Sequence, residues 1–137
     1  MNFFIFVSQQ WYLFALLIAL IALFLYTEQR KSGKSIGTAE LVRLMNSDQA
    51  VVVDVRPSSE FDSGHIHGAR NIPHNKLASR IAELEKSRDK IIVLVDKLGQ
   101  HSGGAGKTLG KEGYSVQRLG GGISEWQNAG LPLVTGK

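Results

Sequence analysis

The apolar residues divide this chain into a continuous N-terminal run and a remainder in which short apolar stretches alternate with polar ones. Residues 11–26, WYLFALLIALIALFLY, contain no charged residue, glycine or proline, and a shorter apolar stretch at residues 3–7 precedes them. As helices, residues 11–26 would be about 24 Å long and residues 3–26 about 36 Å, which brackets the ~30 Å hydrocarbon core of a bilayer. The pattern predicts one N-terminal transmembrane helix, with residues 3–26 in contact with the membrane.

The predicted organisation has three parts: a transmembrane anchor at residues 1–27, a basic polar linker at 28–35 and one domain at 36–137. Every lysine and arginine lies at or after Arg30. The positive-inside rule therefore predicts a cytoplasmic C-terminal domain and an N-terminus outside. A cleaved signal peptide is disfavoured, because no basic residue precedes the apolar run and no small-x-small cleavage site follows it.

Two β-branched runs, at residues 50–55 and 91–95, lack polar alternation and are typical of strands covered on both faces of a parallel sheet. The spacing of apolar residues predicts helices beginning at a Thr38 cap and at 77–84, 102–112 and 123–129, short strands at 69–72 and 116–119, and a loop at 56–67. This alternation predicts an α/β domain with a small, mainly parallel sheet flanked by helices on both faces. Ligands bind at the carboxyl ends of strands in such sheets.

Composition and charge narrow the function classes. The net charge is +4, but residues 28–34 hold three basic residues against one glutamate, so the domain itself is nearly neutral. This distribution suits anionic lipid headgroups beside the anchor and gives no basic footprint for nucleic acid. The chain has no cysteine, which excludes disulfides, zinc–thiolate sites and any thiol nucleophile.

A glycine-rich loop follows the second buried strand in VLVDKLGQHSGGAGKT, residues 93–108. Its Gly-Lys-Thr ending is typical of nucleotide-binding loops, but the motif G-x-x-x-x-G-K-[ST] requires glycine where this chain has His101. The nucleotide interpretation is therefore disfavoured. A short loop between a strand and a helix N-terminus still directs backbone N–H groups inward, which predicts an anion cradle.

Eight short motifs, in this order within residues 36–137, resemble the rhodanese-like (thiosulfate sulfurtransferase-like) domains. They are Val53-Asp-Val-Arg56, Glu60-Phe61, Gly64-His-Ile66, Gly68-Ala69, Asn71-Ile-Pro73, Gly113-Tyr114, Gly120-Gly-Gly-Ile-Ser-Glu-Trp126 and Ala129-Gly-Leu-Pro132. Members of that family transfer sulfur through a cysteine that directly follows a strand, at the first position of a six-residue loop. The resemblance assigns that loop to Asp96, Lys97, Leu98, Gly99, Gln100 and His101, followed by Ser102.

The resemblance thus puts Asp96 at the position of the cysteine. A carboxylate cannot hold a persulfide, and no other thiol is present, so no catalytic residue is predicted. We hypothesise that the Asp96 carboxylate fills the cradle itself as an acceptor of charge-assisted hydrogen bonds. The alternative, an acyl-phosphate on Asp96, would need a metal-binding acidic cluster, and none is visible nearby in the sequence.

The remaining polar residues receive mainly structural interpretations. The resemblance implies a structural hydrogen bond for His65 rather than a general base, and we expect Asp54 and Arg56 to pair at a strand end. His65, His67 and His74 lack a regular metal-ligand spacing, so neither a metal nor a cofactor is predicted. Four basic residues bring positive potential to the loop if they face its mouth, and are solvated helix surface otherwise: Lys97, His101, Lys107 and Lys111.

The sequence therefore predicts a membrane-anchored, non-catalytic rhodanese-like module that binds or scaffolds an unidentified protein partner on the cytoplasmic face, with a small anion at the loop. The alternative is a sulfurtransferase-related enzyme or anion-binding domain that uses residues 96–102, with any thiol supplied by a partner. Incubation with thiosulfate and cyanide discriminates the two.

Overall fold

The computed structural model describes residues 2–31, without the side chains of 28–31, and residues 33–136. The chain divides into two compact units, Met1–Arg30 and Lys31–Lys137. The predicted linker at 28–35 thus lies partly outside the described residues.

The first unit consists of helices α1 (Phe3–Gln9) and α2 (Trp11–Lys31). No single helix among the described residues is both long and apolar enough to cross a membrane. A segment long and apolar enough for a membrane span is reached only when α1 is combined with residues 11–27 of α2. These two helices are bent by 66° relative to each other. The single transmembrane helix predicted from the sequence is therefore not confirmed. The break follows a polar Ser8-Gln-Gln step, where the Ser8 hydroxyl donates to the Ile5 carbonyl at 2.9 Å and competes with the regular helix pattern.

The second unit is built on five parallel strands in the spatial order β1-β5-β4-β2-β3. The strands are β1 (Lys34–Ile36), β2 (Ala50–Asp54), β3 (Arg70–Asn71), β4 (Ile91–Val95) and β5 (Ser115–Leu119). The two buried runs predicted from the sequence are the adjacent strands β2 and β4, in a register that puts Asp54 opposite Val95. Their following loops therefore begin side by side at the carboxyl edge of the sheet.

Alternating side chains of the strands supply a separate core on each face of the sheet. Val93 and Val95 belong to one cluster, which includes Trp126, and Ile92 and Leu94 belong to the other. Because both faces are covered, β4 needs no polar residue along its length. Trp126 is 4% exposed and is thus a core residue.

Helices cover both clusters: α3 (Thr38–Asn46), α4 (Ser58–Ser63), α5 (Leu77–Arg80), α6 (Ser102–Lys111) and α7 (Gly122–Asn128), with 3₁₀ turns at His74–Lys76 and Ile81–Ser87.

Three local expectations were wrong. Gly37, not Thr38, is the N-cap of α3, so no side chain caps the N-terminus of this helix. The predicted loop at 56–67 contains α4, and the predicted helix at 77–84 continues from α5 as a 3₁₀ helix.

Residues 34 and 35 of the predicted linker instead form β1 together with Ile36, the first residue of the predicted domain. This strand is only three residues long, and it pairs in parallel with β5, Ile36 lying opposite Leu119. Ile36 is buried in the core cluster that contains Trp126. The strand depends on this tertiary pairing, because a run of three residues with polar neighbours carries no strand signal of its own.

Candidate functional site

The loop between β4 and α6 closes around one carboxylate. Asp96 directly follows β4 and is only 2 % exposed to solvent. Its side-chain oxygens accept hydrogen bonds from the backbone N–H groups of Gly99 and His101, and from that of Ser102 at 3.1 Å. The acceptor expected at the centre of the cradle is therefore part of the chain.

The turn of this loop depends on Gly99. Its φ of +95° lies in the left-handed region, which side chains with a Cβ rarely adopt. The Ser102 hydroxyl donates to the Gly99 carbonyl at 3.3 Å and closes the loop from the other side. Six residues thus return to the start of α6 with their N–H groups directed inward.

The loop base is fixed by the N-terminus of α7. The Ile123 N–H donates to the Asp96 carbonyl at 2.8 Å, and the Ser124 N–H donates to the Lys97 carbonyl at 3.1 Å. Gly122 makes this approach close, because a Cβ added there would lie 2.2 Å from the Asp96 carbonyl oxygen. Glycine is the residue that permits such a close approach of two backbone segments.

Asp54 and Arg56 form a buried ion pair at the end of β2, as expected. The Arg56 Nη2 lies 2.7 Å from Asp54 Oδ2, and the Arg56 Nε donates to both carboxylate oxygens at 3.0 and 3.1 Å. The same Nη2 also donates to the Gly64 carbonyl at 2.7 Å. The Asn71 amide donates to the backbone carbonyls of Asp54 and Arg56, which ties the pair to β3.

His65 takes a structural position. It is buried, its ring stacks on Phe61 with centroids 3.8 Å apart, and Nδ1 donates to the Phe61 carbonyl at 2.8 Å. Its backbone pairs with that of Val134 in an antiparallel bridge. These contacts hold α4 and the C-terminal segment together, and they leave His65 outside the loop that contains Asp96.

The other histidines do not form a metal centre with His65. His74 stacks on His101, with ring centroids 4.3 Å apart and planes 1° from parallel, and His67 is exposed. Within residues 2–31 and 33–136, no group of three His, Asp or Glu side chains has an arrangement that could hold a metal ion.

The four basic residues considered for the loop mouth separate into two pairs. Lys97 and His101 line a cavity of about 210 Å³ beside the loop, whereas Lys107 and Lys111, further along α6, are not among the described residues that line it. Glu60 also lines this cavity. The mouth is therefore mixed in charge, and the sequence did not indicate Glu60 because its place here depends on packing between segments far apart in the chain.

Comparison with known proteins agrees with this geometry. The profile of the Rhodanese-like domain matches residues 37–129. The uncharacterized protein YibN of Escherichia coli (strain K12) is 40% identical over 106 residues, covering 76% of this chain and 74% of that protein. The thiosulfate sulfurtransferase GlpE of Shewanella oneidensis is 31% identical over 99 residues, covering 72% and 96%. The crystal structure of a rhodanese-related protein from Thermoplasma volcanium matches with a TM-score of 0.69 and 31% identity, over 75% of this chain and 99% of that one.

Proposed function

This chain belongs to the rhodanese-like domain family, and on that premise we propose that it is a non-catalytic member, a membrane-anchored binding module whose domain lies on the cytoplasmic face. In this proposal Asp96 occupies the position at which sulfur-transferring members of the family have their cysteine. Its loop is an element of structure and recognition, and no reaction passes through it.

The observation that supports the proposal is the occupied cradle in a chain that lacks cysteine. Sulfur transfer from thiosulfate requires a thiolate that attacks the outer sulfur, forms a sulfur–sulfur bond and releases sulfite. No thiol exists in this chain. The Asp96 carboxylate occupies the N–H groups of Gly99, His101 and Ser102, which a persulfide on that residue would otherwise engage.

The full chain in detergent micelles should form no thiocyanate above the blank when it is incubated with thiosulfate and cyanide. The variant Asp96→Cys should form thiocyanate, because the same N–H groups then surround a thiolate. Colorimetric determination of thiocyanate checks both, at a temperature well below the unfolding of the variant. The variant Asp96→Ser, with a hydroxyl and no thiol, is the matched inactive control.

Thiocyanate production by the natural chain would contradict the proposal. A third arm tests the alternative in which a partner supplies the thiol. Dithiothreitol is added to the natural chain and to Asp96→Ala. Thiocyanate formation that requires dithiothreitol and is lost in Asp96→Ala would favour that alternative. The proposal expects no difference between natural chain and blank in either arm.

Membrane anchoring is supported by the apolar surface of the first unit. Phe4, Ile18 and Leu23 are 78%, 67% and 58% exposed, and soluble proteins rarely expose a continuous apolar surface of this extent. Residues 11–27 of α2 would be about 25 Å long, slightly less than the ~30 Å hydrocarbon core. We propose that α2 crosses the bilayer and that α1, beyond the bend, completes the immersed segment on the outer side.

The absence of cysteine makes this topology directly testable, because one introduced thiol is then the only reactive one. In spheroplasts treated with a membrane-impermeant maleimide, Asn2→Cys should be labelled at once. Asp89→Cys, on the exposed surface of the domain, should be labelled only after permeabilisation. Labelling of Asp89→Cys in sealed spheroplasts would contradict the proposed orientation, and labelling of both only after permeabilisation would contradict the crossing.

A further inference from the structure

Three cavities adjoin along the carboxyl edge of the sheet. One of about 280 Å³ and one of about 210 Å³ share Arg56, Glu60 and Lys97 as walls. The second also shares Pro57 and His74 with a third, of about 240 Å³. We call the combined depression the edge groove. It runs from Leu133 at one end, past Lys97, to Lys76 at the other.

Each cavity taken alone is smaller than the ~300 Å³ at which small-molecule pockets begin. Their shared walls make a continuous path along the surface instead. An extended peptide places successive side chains on alternating sides about every 3.3 Å, so it can enter a series of small adjoining depressions. The shape of the edge groove therefore favours a peptide segment over a compact ligand.

The charges along the edge groove favour an acidic occupant. Lys97 lies at its centre and Lys76 at one end, and among the described residues neither ammonium group has an ion-pair partner. Of the carboxylates in its walls, Asp96 is already satisfied by three backbone N–H groups, which leaves Glu60 to oppose the two lysines. Arg56 also lines the groove, and its Nη1 takes no part in the hydrogen bonds of its side chain to Asp54 and Gly64.

An apolar contact point lies beside these cations. Leu98 is 54% exposed at the tip of the loop. In residues 33–136, the other large hydrophobic side chain that is exposed is Val134, at only 36%. Leu98 lines the same cavity as Lys97 and the stacked rings of His74 and His101, and an exposed leucine there is the kind of apolar surface that a partner side chain covers.

We propose that the edge groove binds an extended acidic segment of a partner protein, with its carboxylates toward Lys97 and Lys76 and an apolar side chain against Leu98. This inference rests on the proposed non-catalytic function and names the partner chemistry of the same site. The Asp96-filled loop acts here as a preformed wall, which reduces the ordering cost that a flexible loop would add to binding.

The test is selection of displayed random decapeptides on the full chain in phosphatidylcholine nanodiscs. We expect enrichment of peptides with at least three Asp or Glu residues and one large apolar residue. Binding of a selected peptide, measured by fluorescence anisotropy, should weaken at least tenfold with Lys97→Gln and severalfold with Leu98→Ala. It should also weaken as salt rises, because the paired charges are exposed.

The matched control is Lys111→Gln, which changes an exposed lysine at the far end of α6, about 14 Å along the helix from its start. The affinity of this variant for the peptide should stay within twofold of that of the natural chain. Selection of peptides without acidic enrichment, or equal affinity in Lys97→Gln, would overturn the inference while leaving the non-catalytic function standing. Lys97-dependent binding of phosphatidylserine vesicles in place of the peptides would overturn it in favour of a lipid surface. Thiocyanate formation by the natural chain would instead overturn the function, whichever peptides are selected.

Discussion

Replacement of Asp96 by alanine should lower the free energy of unfolding by about 2–4 kcal/mol, although it removes only three heavy atoms from a loop. The variant Asp96→Ala leaves the backbone N–H groups of Gly99, His101 and Ser102 without their acceptor. A buried donor that loses its partner costs about 1–3 kcal/mol, and partial entry of water into the loop offsets some of that sum.

Chemical denaturation of the full chain in detergent micelles measures this loss. Asp96→Asn should lie between the natural chain and alanine, because its amide oxygen still accepts while its NH₂ group opposes a donor. The exposed Asp89→Ala is the matched control and should change stability by less than about 0.5 kcal/mol. A free energy of unfolding for Asp96→Ala equal to that of the natural chain would mean that the loop does not depend on its carboxylate.

Gly122→Ala should be at least as disruptive, with an expected loss of more than about 3 kcal/mol. The added Cβ would lie 2.2 Å from the carbonyl oxygen of Asp96 and 2.8 Å from that of Lys97, with φ at +60°. The atoms that the added Cβ would meet belong to the backbone of Asp96 and Lys97 and cannot rotate away. The clash is therefore relieved only if α7 moves away from the loop base. The hydrogen bond from the Ile123 N–H to the Asp96 carbonyl would then lengthen or break.

The cost at Gly122 has two causes, the close contact of the added Cβ and the positive φ. Gly130→Ala separates them, because Gly130 also has a positive φ, of +77°, but a Cβ there would meet nothing within 4 Å. Its cost should be the conformational one alone, about 1–2 kcal/mol. Denaturation compares the stabilities, and hydrogen exchange of the Ile123 amide reports on the loop base. Equal losses for the two alanine variants, with Ile123 still protected in Gly122→Ala, would refute close contact as the reason for this glycine.

The strands that formed as predicted are those whose signal is local. β2 and β4 are β-branched runs buried on both faces, so composition alone identified them. β1 could not be identified in this way, because its three residues become a strand only by pairing with β5. The N-terminal helix shows the converse: its apolar composition predicted one continuous helix, whereas the polar step before Trp11 allows a break.

The site was partly predictable for a related reason. The hydrogen bonds of Asp96 and the ion pair of Asp54 with Arg56 join residues that are near in sequence, so their spacing indicated the contacts. The approach of Gly122 to the loop base and the place of Glu60 in the edge groove join segments far apart in the chain. Those contacts depend on how α7 and α4 pack at the carboxyl edge, which no single segment determines.

Because a carboxylate fills the loop, the charge and shape of this surface do not depend on the redox state or the sulfane-sulfur supply around the protein. A cysteine at that position would pass between thiol, persulfide and oxidised forms, and each would present a different charge and size to a partner. Asp96 has no such ladder of states, and the chain contains no thiol elsewhere. If the edge groove binds a partner as proposed, peroxide or a changing supply of sulfane sulfur should therefore leave that binding unaltered, because the surface is the same under oxidising and reducing conditions.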